Sequence, residues 1–371
     1  MNTDIVSLFF IMDESYSLFH GGQGGRRYGG AGLQMYLIAD ELSKNKNFDV
    51  NWVFLGSGID VDMISHPRIT IHKYRSLINK GIPYVSRLIN QARKKTPFKS
   101  PHPRVVISCF GAFAPHLLDY AQDANAKSIL RLSADSDTTE PRWTKLDAQD
   151  IFSMYQSIDG IVVQSEYQQQ QLESRDIQSF CIPNIWPDED RSVSEKDIIL
   201  WVASSQPLKQ PWIFIELAKR FPEEKFVMVM PMNEERMHAY IMRQAQYVSN
   251  LQLINEQTPL EKVNMLFDKA KVFINTSESE GFPNTFLQSG ASSTPILSLG
   301  INPDNILERH EIGDSAQWDF DTLCRLLKHT LNDNDQRNAR GINAKKYVDA
   351  IHNPKAVAEK WKHAIEHALQ S

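Results

Sequence analysis

The chain has 371 residues, 42% hydrophobic and 23% charged, enough for two cores at about 100 to 200 residues per domain. Seventeen Gly and 18 Pro without a low-complexity tract exclude disordered and fibrous classes, and the longest apolar run, Val6 to Met12 broken by Ser7, is too short to span a bilayer. The net charge of −5 is uneven: Met63 to Leu118 holds ten Lys and Arg and no acid, which leaves −15 for the remainder and points to an anionic partner such as a membrane surface.

Apolar, β-branched runs alternate with helical periods in chain order. Strands are expected at Ile5 to Met12, Val50 to Leu55, Ile69 to Tyr74, Val105 to Phe110, Ile129 to Ser133, Gly160 to Gln164 and Phe180 to Pro183. Helical patterns lie between them at Leu33 to Ser43, Phe113 to Gln122 and Asp147 to Ser157. A Pro, Asp, Glu and Ser-rich stretch from Pro183 to Asp197 reads as a linker. The scheme then repeats, with strands at Ile198 to Ala203, Phe226 to Met230, Leu251 to Ile254, Val272 to Asn275 and Pro295 to Leu299, and a helix at Pro211 to Phe221. Beyond Trp318 everything reads as helix, ending in Pro354 to Leu369 with Val357, Trp361, Ile365 and Ala368 on one face. The expected class is α/β, with two Rossmann-like, doubly wound domains at 1–185 and 186–352 facing each other across a hinge, and a terminal helix at 353–371.

Three turns carry chemistry. Gly21 to Gly32, between the first strand and the first helix, is a glycine-rich loop that includes Gly29 and Gly30, and it leads to a helix N-terminus suited to an anion. It lacks the dinucleotide register, because no suitably placed acid closes the second strand after Leu55. Ser204 to Pro211 leaves a buried strand and enters a helix, placing Lys209 where open α/β sheets bind phosphate. Asn275 to Gly290 is again strand, turn and helix entry: Gly281 frees the backbone, Pro283 suits the first helical turn, and the N–H groups of Asn284 and Thr285 can face an anion. If the helix already holds at Glu280, Gln288 lies a little over two turns on and both look to one side. A carboxylate beside an anion site calls for a ligand hydroxyl or a cation.

With these residues in view the chain resembles the retaining glycosyltransferases of family 4, which have the GT-B fold and are glycogen-synthase-like. The resemblance rests on Glu280 to Gln288, on Lys209 after its strand and on the early glycine loop, and it spans essentially the whole chain. It implies a metal-independent hexosyltransferase that uses a UDP- or GDP-linked donor and no cofactor. By the family's acid-x7-acid motif, Glu280 would meet the donor sugar and Gln288 the ribose, with Phe282, Pro283, Asn284 and Thr285 near the diphosphate. Lys209 would neutralise the leaving group and the glycine loop would border it. The last helix would cross back to the first domain. The acceptor would be a saccharide or lipid-linked glycan, as in polysaccharide biosynthesis.

Three departures from the pattern matter. Gln288 replaces an acid and forgoes a charge-assisted bond, a change on the order of 1 kcal/mol. Ser204 stands where relatives carry an arginine; Arg26, Arg27 or Arg131 are candidates to substitute. The strand end at Arg131 lacks a histidine, whose contact Asp135 or Asp137 would take over, unless they form a turn. A catalytically weak protein that binds nucleotide sugar or glycan beside a partner enzyme is the alternative function these departures raise. Repeated Asp-x-Asp spacings at 60, 135 and 333 make a metal reading of Asp135 and Asp137 uninformative. His116 starts a helix that would face a cleft or solvent.

Within the basic window, Tyr84 to Lys95 sets an apolar stripe beside Arg87, Arg93, Lys94 and Lys95, which suits either a lipid interface or a packed helix with a solvated face. Aromatic residues there are few and no nucleic-acid motif occurs, so no nucleic-acid partner is expected. The N-terminus lacks a signal-peptide pattern, so the expected location is cytoplasmic, peripheral on the inner membrane face if the stripe binds lipid. Cys109, Cys181 and Cys324, odd in number and far apart, read as reduced thiols without a metal or redox role.

Overall fold

A computed structural model describes residues 5–19, 29–55, 62, 64–73, 100–110, 117–142, 146–187 and 195–371. The expectations for the loop before Gly29, including Arg26 and Arg27, for His116, and for Arg87, Arg93, Lys94 and Lys95 lie outside the described residues. The chain divides into two compact units, residues 1–185 with 354–371, and residues 186–353.

The first unit is built on a seven-stranded sheet: β1 (Val6–Ile11), β2 (Phe48–Phe54), β3 (Thr70–Lys73), β4 (Arg104–Cys109), β5 (Lys127–Arg131), β6 (Gly160–Val163) and β7 (Phe180–Cys181). The order is β3-β2-β1-β4-β5-β6-β7 and every pairing is parallel. A parallel sheet is covered on both faces, which is why β1 is apolar on each side of its pleat. Leu8 and Phe10 enter one core cluster, while Phe9 and Ile11 enter the other. The first face is closed by α1 (Gly30–Leu42) and by the terminal helix; the second is closed by residues of α2 (Leu117–Ala124), α3 (Ala148–Tyr155) and α4 (Glu166–Glu173).

The second unit holds a six-stranded sheet: β8 (Ile198–Val202), β9 (Lys225–Val229), β10 (Leu251–Ile254), β11 (Ala270–Asn275), β12 (Ile296–Ser298) and β13 (Gly313–Ser315). Its order is β10-β9-β8-β11-β12-β13, again wholly parallel. The helices α5 (Pro211–Arg220), α6 (Glu235–Ala245), α7 (Leu260–Asp268), α8 (Asn284–Ala291), α9 (Phe320–Asn332) and α10 (Asn334–Ile351) complete the unit. The chain leaves β8 toward β9 and β10 but leaves β11 toward β12 and β13, so the order reverses between β8 and β11. Ligands of open α/β sheets bind at the carboxyl ends of strands beside such a reversal.

Two close approaches explain the small residues in this unit. A side chain at Gly313 would begin 1.8 Å from the Ile296 carbonyl oxygen, so β13 can pair with β12 only through a glycine. A Cβ at Gly290 would lie 2.6 Å from Val348, which lets α8 and α10 pack closely. Just before β8, the Lys196 ammonium is half-buried and bonds Thr294 Oγ1 at 2.6 Å, Ser292 O at 2.9 Å and Ala270 O at 3.2 Å. It joins the entries of three strands.

The terminal helix, α11 (Pro354–Gln370), belongs to the first unit. Its buried face comprises Val357, Trp361, Ala364, Ile365 and Ala368, which share a core cluster with Ile129 of β5 and Val162 of β6. Trp361 is 1% exposed, and burying so large an apolar side chain is worth about 2 to 3 kcal/mol. Among the described residues, no helix is long and apolar enough to cross a membrane.

Candidate functional site

The switch point of the second unit is lined by the turns that follow β8 and β11. Both are fixed by contacts made at their backbones. After β8, Ser205 is fully buried and its Oγ accepts the N–H of Asn233 at 2.7 Å, which ties this turn to the one after β9. A short 3-10 turn, Pro207–Lys209, then reaches Gln210, whose φ of 46° lies in the left-handed region. Without glycine this conformation costs on the order of 1 kcal/mol. Thr276 at the end of β11 supplies the restraint: its hydroxyl meets Lys209 O at 2.7 Å and Gln210 O at 3.2 Å, and it accepts the Trp201 indole N–H at 2.8 Å. One residue pair further, the Glu278 N–H donates to Leu208 O at 2.7 Å.

These ties bring Lys209 and Glu280 together. Lys209 Nζ stands 2.5 Å from Glu280 Oε1, with side chains only 17% and 21% exposed. In such partial burial an ion pair is little screened, yet it relieves two charges that would each be costly alone. Immediately downstream, α8 begins at Asn284, with Pro283 as its N-cap and no side-chain hydrogen bond at that cap. Its first turn contains no acid. A cation and a helix N-terminus therefore stand beside the same turn, and both favour a ligand with negative charge.

Phe282 is buried and packs against the His352 ring at 4.9 Å between centroids. His352, 1% exposed at the end of α10, also packs on Tyr347 at 5.3 Å, and its carbonyl accepts the Trp186 N–H at 2.9 Å. The turn that carries Glu280 is thus braced from below by a residue more than seventy positions away. Sequence reading did not single out His352, Thr276 or Trp201. Their role lies in tertiary contact, and none belongs to a spacing that marks a ligand or catalytic group.

Gln288 and Glu280 do not share a helix, because α8 starts four residues after Glu280; the two-turn spacing does not apply. Gln288 is buried on α8 and its amide nitrogen donates to Asn264 Oδ1 of α7 at 2.9 Å. Ser204 is half-buried and its Oγ accepts from Gln206 Nε2 at 3.1 Å. Gly281 is buried in the turn and Thr285 half-buried in the first turn of α8.

In the first unit, Gly29 is the N-cap of α1 and Gly30 its first residue, both exposed. Gly29 has φ −89°, so this glycine is not required by a left-handed backbone. Strand order reverses here too, between β1 and β4. Arg131 departs from expectation: it is 2% exposed, and its guanidinium donates to Asn184 Oδ1 and to Ser133 Oγ at 3.3 Å. Burial and these partners make it an interior tie of the first unit. The two aspartates form a turn, with Asp137 Oδ2 accepting the N–H groups of Ser133 and Ala134 at 2.8 Å each and Asp135 Oδ1 accepting from Gln168 at 2.9 Å. Burial holds the Asp137 carboxyl above its ordinary pKa. Among the described residues, no three His, Cys, Asp or Glu side chains group so as to hold a metal ion, and Cys109, Cys181 and Cys324 are not joined by a disulfide.

No protein-family model matches the chain, and no curated protein matches it in sequence. Solved structures do. A sucrose-phosphate synthase from Thermosynechococcus elongatus superposes with a TM-score of 0.75 at 14% identity, over 98% of this chain and 99% of that one. A mutant of Staphylococcus aureus TarM, solved with fondaparinux, α-GlcNAc-glycerol and UDP, gives 0.73 at 12% identity, over 97% and 99%. Anabaena HepE, solved with UDP, gives 0.70 at 11% identity, over 98% and 100%. At these identities the likeness is one of fold, and the fold is GT-B.

Proposed function

We propose that this chain is a retaining glycosyltransferase of family 4 type, moving a sugar from a nucleoside diphosphate to a hydroxyl of a saccharide or lipid-linked acceptor. The observation that carries the reading is the Lys209–Glu280 pair, held at the switch point beside the start of α8. A sugar nucleotide has what each member of that arrangement needs. Its diphosphate answers Lys209 and the helix N-terminus, while its sugar hydroxyls answer Glu280. That TarM and HepE of similar fold were solved with UDP is in keeping with this reading.

In the reaction the bond from the anomeric carbon to the diphosphate breaks, one to the acceptor oxygen forms, and the acceptor's hydroxyl proton leaves with the diphosphate. Negative charge grows on the departing diphosphate, and preorganised positive groups aimed at it lower the barrier more than they tighten the ground state. Lys209 and the N–H groups at the start of α8, around Asn284 and Thr285, fill this role, so the proposal requires no resident metal or cofactor. Phe282, braced by His352, keeps the turn in place, and Gly281 lets the backbone approach the ligand. The basic window would direct the protein to an anionic membrane carrying a lipid-linked acceptor.

A second reading, donor binding without turnover, draws on Gln288, whose amide nitrogen is already held by Asn264. One experiment separates the two. Purified protein is mixed with UDP-, GDP- and ADP-sugars and with saccharide and lipid-linked acceptors, and transfer and nucleotide release are followed together with binding by calorimetry. Transfer with retained anomeric configuration is expected for one donor class; binding without release in any mixture supports the second reading, and no binding of any donor contradicts both.

A further inference from the structure

Lys209 Nζ has one acid within ion-pair distance among the described residues, and that acid belongs to the same proposed donor site. Both residues are anchored through their backbones. The backbone of Lys209 is held by Thr276, and the turn of Glu280 is anchored through Glu278 to Leu208 and through Phe282 to His352. The pair is therefore a property of the folded unit, present before any ligand arrives.

We propose that the Lys209–Glu280 pair determines specificity, selecting a nucleoside diphosphate that carries a sugar over one that does not. This rests on the reading of the site given above. A free diphosphate must draw Lys209 away from Glu280, and it then leaves a partly buried carboxylate without its cation and beside new negative charge. A diphosphate bearing a sugar exacts the same separation but returns O–H donors to Glu280, so the carboxylate is satisfied again. After transfer the sugar is gone, Glu280 loses those donors, and re-formation of the pair with Lys209 displaces the spent diphosphate. One contact thus favours the loaded donor on entry and drives the unloaded product out.

The test is the affinity of free nucleotide. Wild type and Glu280→Gln are titrated by calorimetry with UDP, GDP and ADP, and then with the sugar nucleotide of whichever base binds wild type best. Glu280→Gln should bind the free diphosphate on the order of tenfold more tightly than wild type, because a like charge is removed and Lys209 is released. Its preference for the sugar-bearing form should shrink by at least that factor. Glu280→Ala removes the same charge with a different change of volume, and thermal melting of both variants identifies a folding defect. Wild type that binds a free diphosphate while both folded variants bind it no more tightly overturns the inference and leaves the site reading standing. Wild type that binds neither a free diphosphate nor a sugar nucleotide of any of the three bases overturns the site reading, and the inference with it.

Discussion

Lys209→Ala is expected to lower kcat by about 10²- to 10³-fold, the usual effect of removing one preorganised group that meets charge developing in the transition state. The loss should fall on kcat more than on KM, since the leaving diphosphate gains charge only as the bond breaks. Removing the lysine also leaves Glu280, 21% exposed, without its cation and facing the diphosphate, so the two effects run in the same direction. Lys209→Arg keeps the charge but spreads it over a planar fork on a longer stem, and it should retain more turnover than the alanine variant. Steady-state kinetics with the donor found in the panel measure both. A kcat for Lys209→Ala within about threefold of wild type would mean that this lysine does not stabilise the leaving group.

The second expected result concerns stability. Burial holds the Lys196 ammonium well below the ordinary lysine value, pushed down to about 8. The three oxygens around it are uncharged acceptors, so their contacts offset only part of the cost of enclosing a charge. Below pH 8 the lysine is protonated in both folded and unfolded chains, and the folded state carries that cost in full. Between the folded value and the unfolded value of 10.5 the unfolded chain binds more protons, so stability contributed by this group rises with pH. Over two units of that window the gain is about 2 to 3 kcal/mol. Other thiols and phenols titrate in the same range, and burial raises the Cys109, Cys324 and Tyr155 values, which acts in the opposite sense. The difference between wild type and Lys196→Met isolates the lysine. In urea unfolding at pH 7, 8.5 and 10, wild type should gain on the variant by that amount; a difference that stays constant with pH would contradict this assignment.

Most of the architecture was legible because burial on both faces of a parallel sheet writes a strong pattern. The runs Val6 to Met12, Val105 to Phe110 and Ile198 to Ala203 are apolar on both sides of the pleat, and each overlaps an observed central strand. The terminal helix was equally plain, since Val357, Trp361, Ile365 and Ala368 recur at helical spacing and all are buried. β13 was not legible. Its three residues, Gly-Asp-Ser, carry no apolar alternation, and the strand exists through the close approach of Gly313 to Ile296, a constraint from its neighbour. Likewise a single helical reading beyond Trp318 passes over the cap at Asp333, whose side chain accepts the Gln336 N–H and starts α10 afresh.

At the site, the turns of Lys209 and of Gly281 to Thr285 could be read from strand ends and helix entries, and resemblance supplied the joint role proposed for them. The direct pairing of Lys209 with Glu280 across 71 positions is a tertiary fact that no local pattern encodes. The same holds for His352 under Phe282. The enclosure of Arg131 at its strand end by Asn184 and the surrounding core is likewise a tertiary fact. That Glu280 and Gln288 look to one side was conditional on helix already holding at Glu280, whereas α8 starts at Asn284.

Leaving-group stabilisation, donor selection and the role of Glu280 all depend on where a nucleoside diphosphate lies. A crystal structure of the protein with the diphosphate that binds it most tightly is the direct measurement. The terminal phosphate is expected within about 3 Å of Lys209 Nζ and of N–H groups at the start of α8, with the lysine drawn from Glu280. A diphosphate seated elsewhere, with Lys209 and Glu280 still paired to each other, would contradict the proposed site.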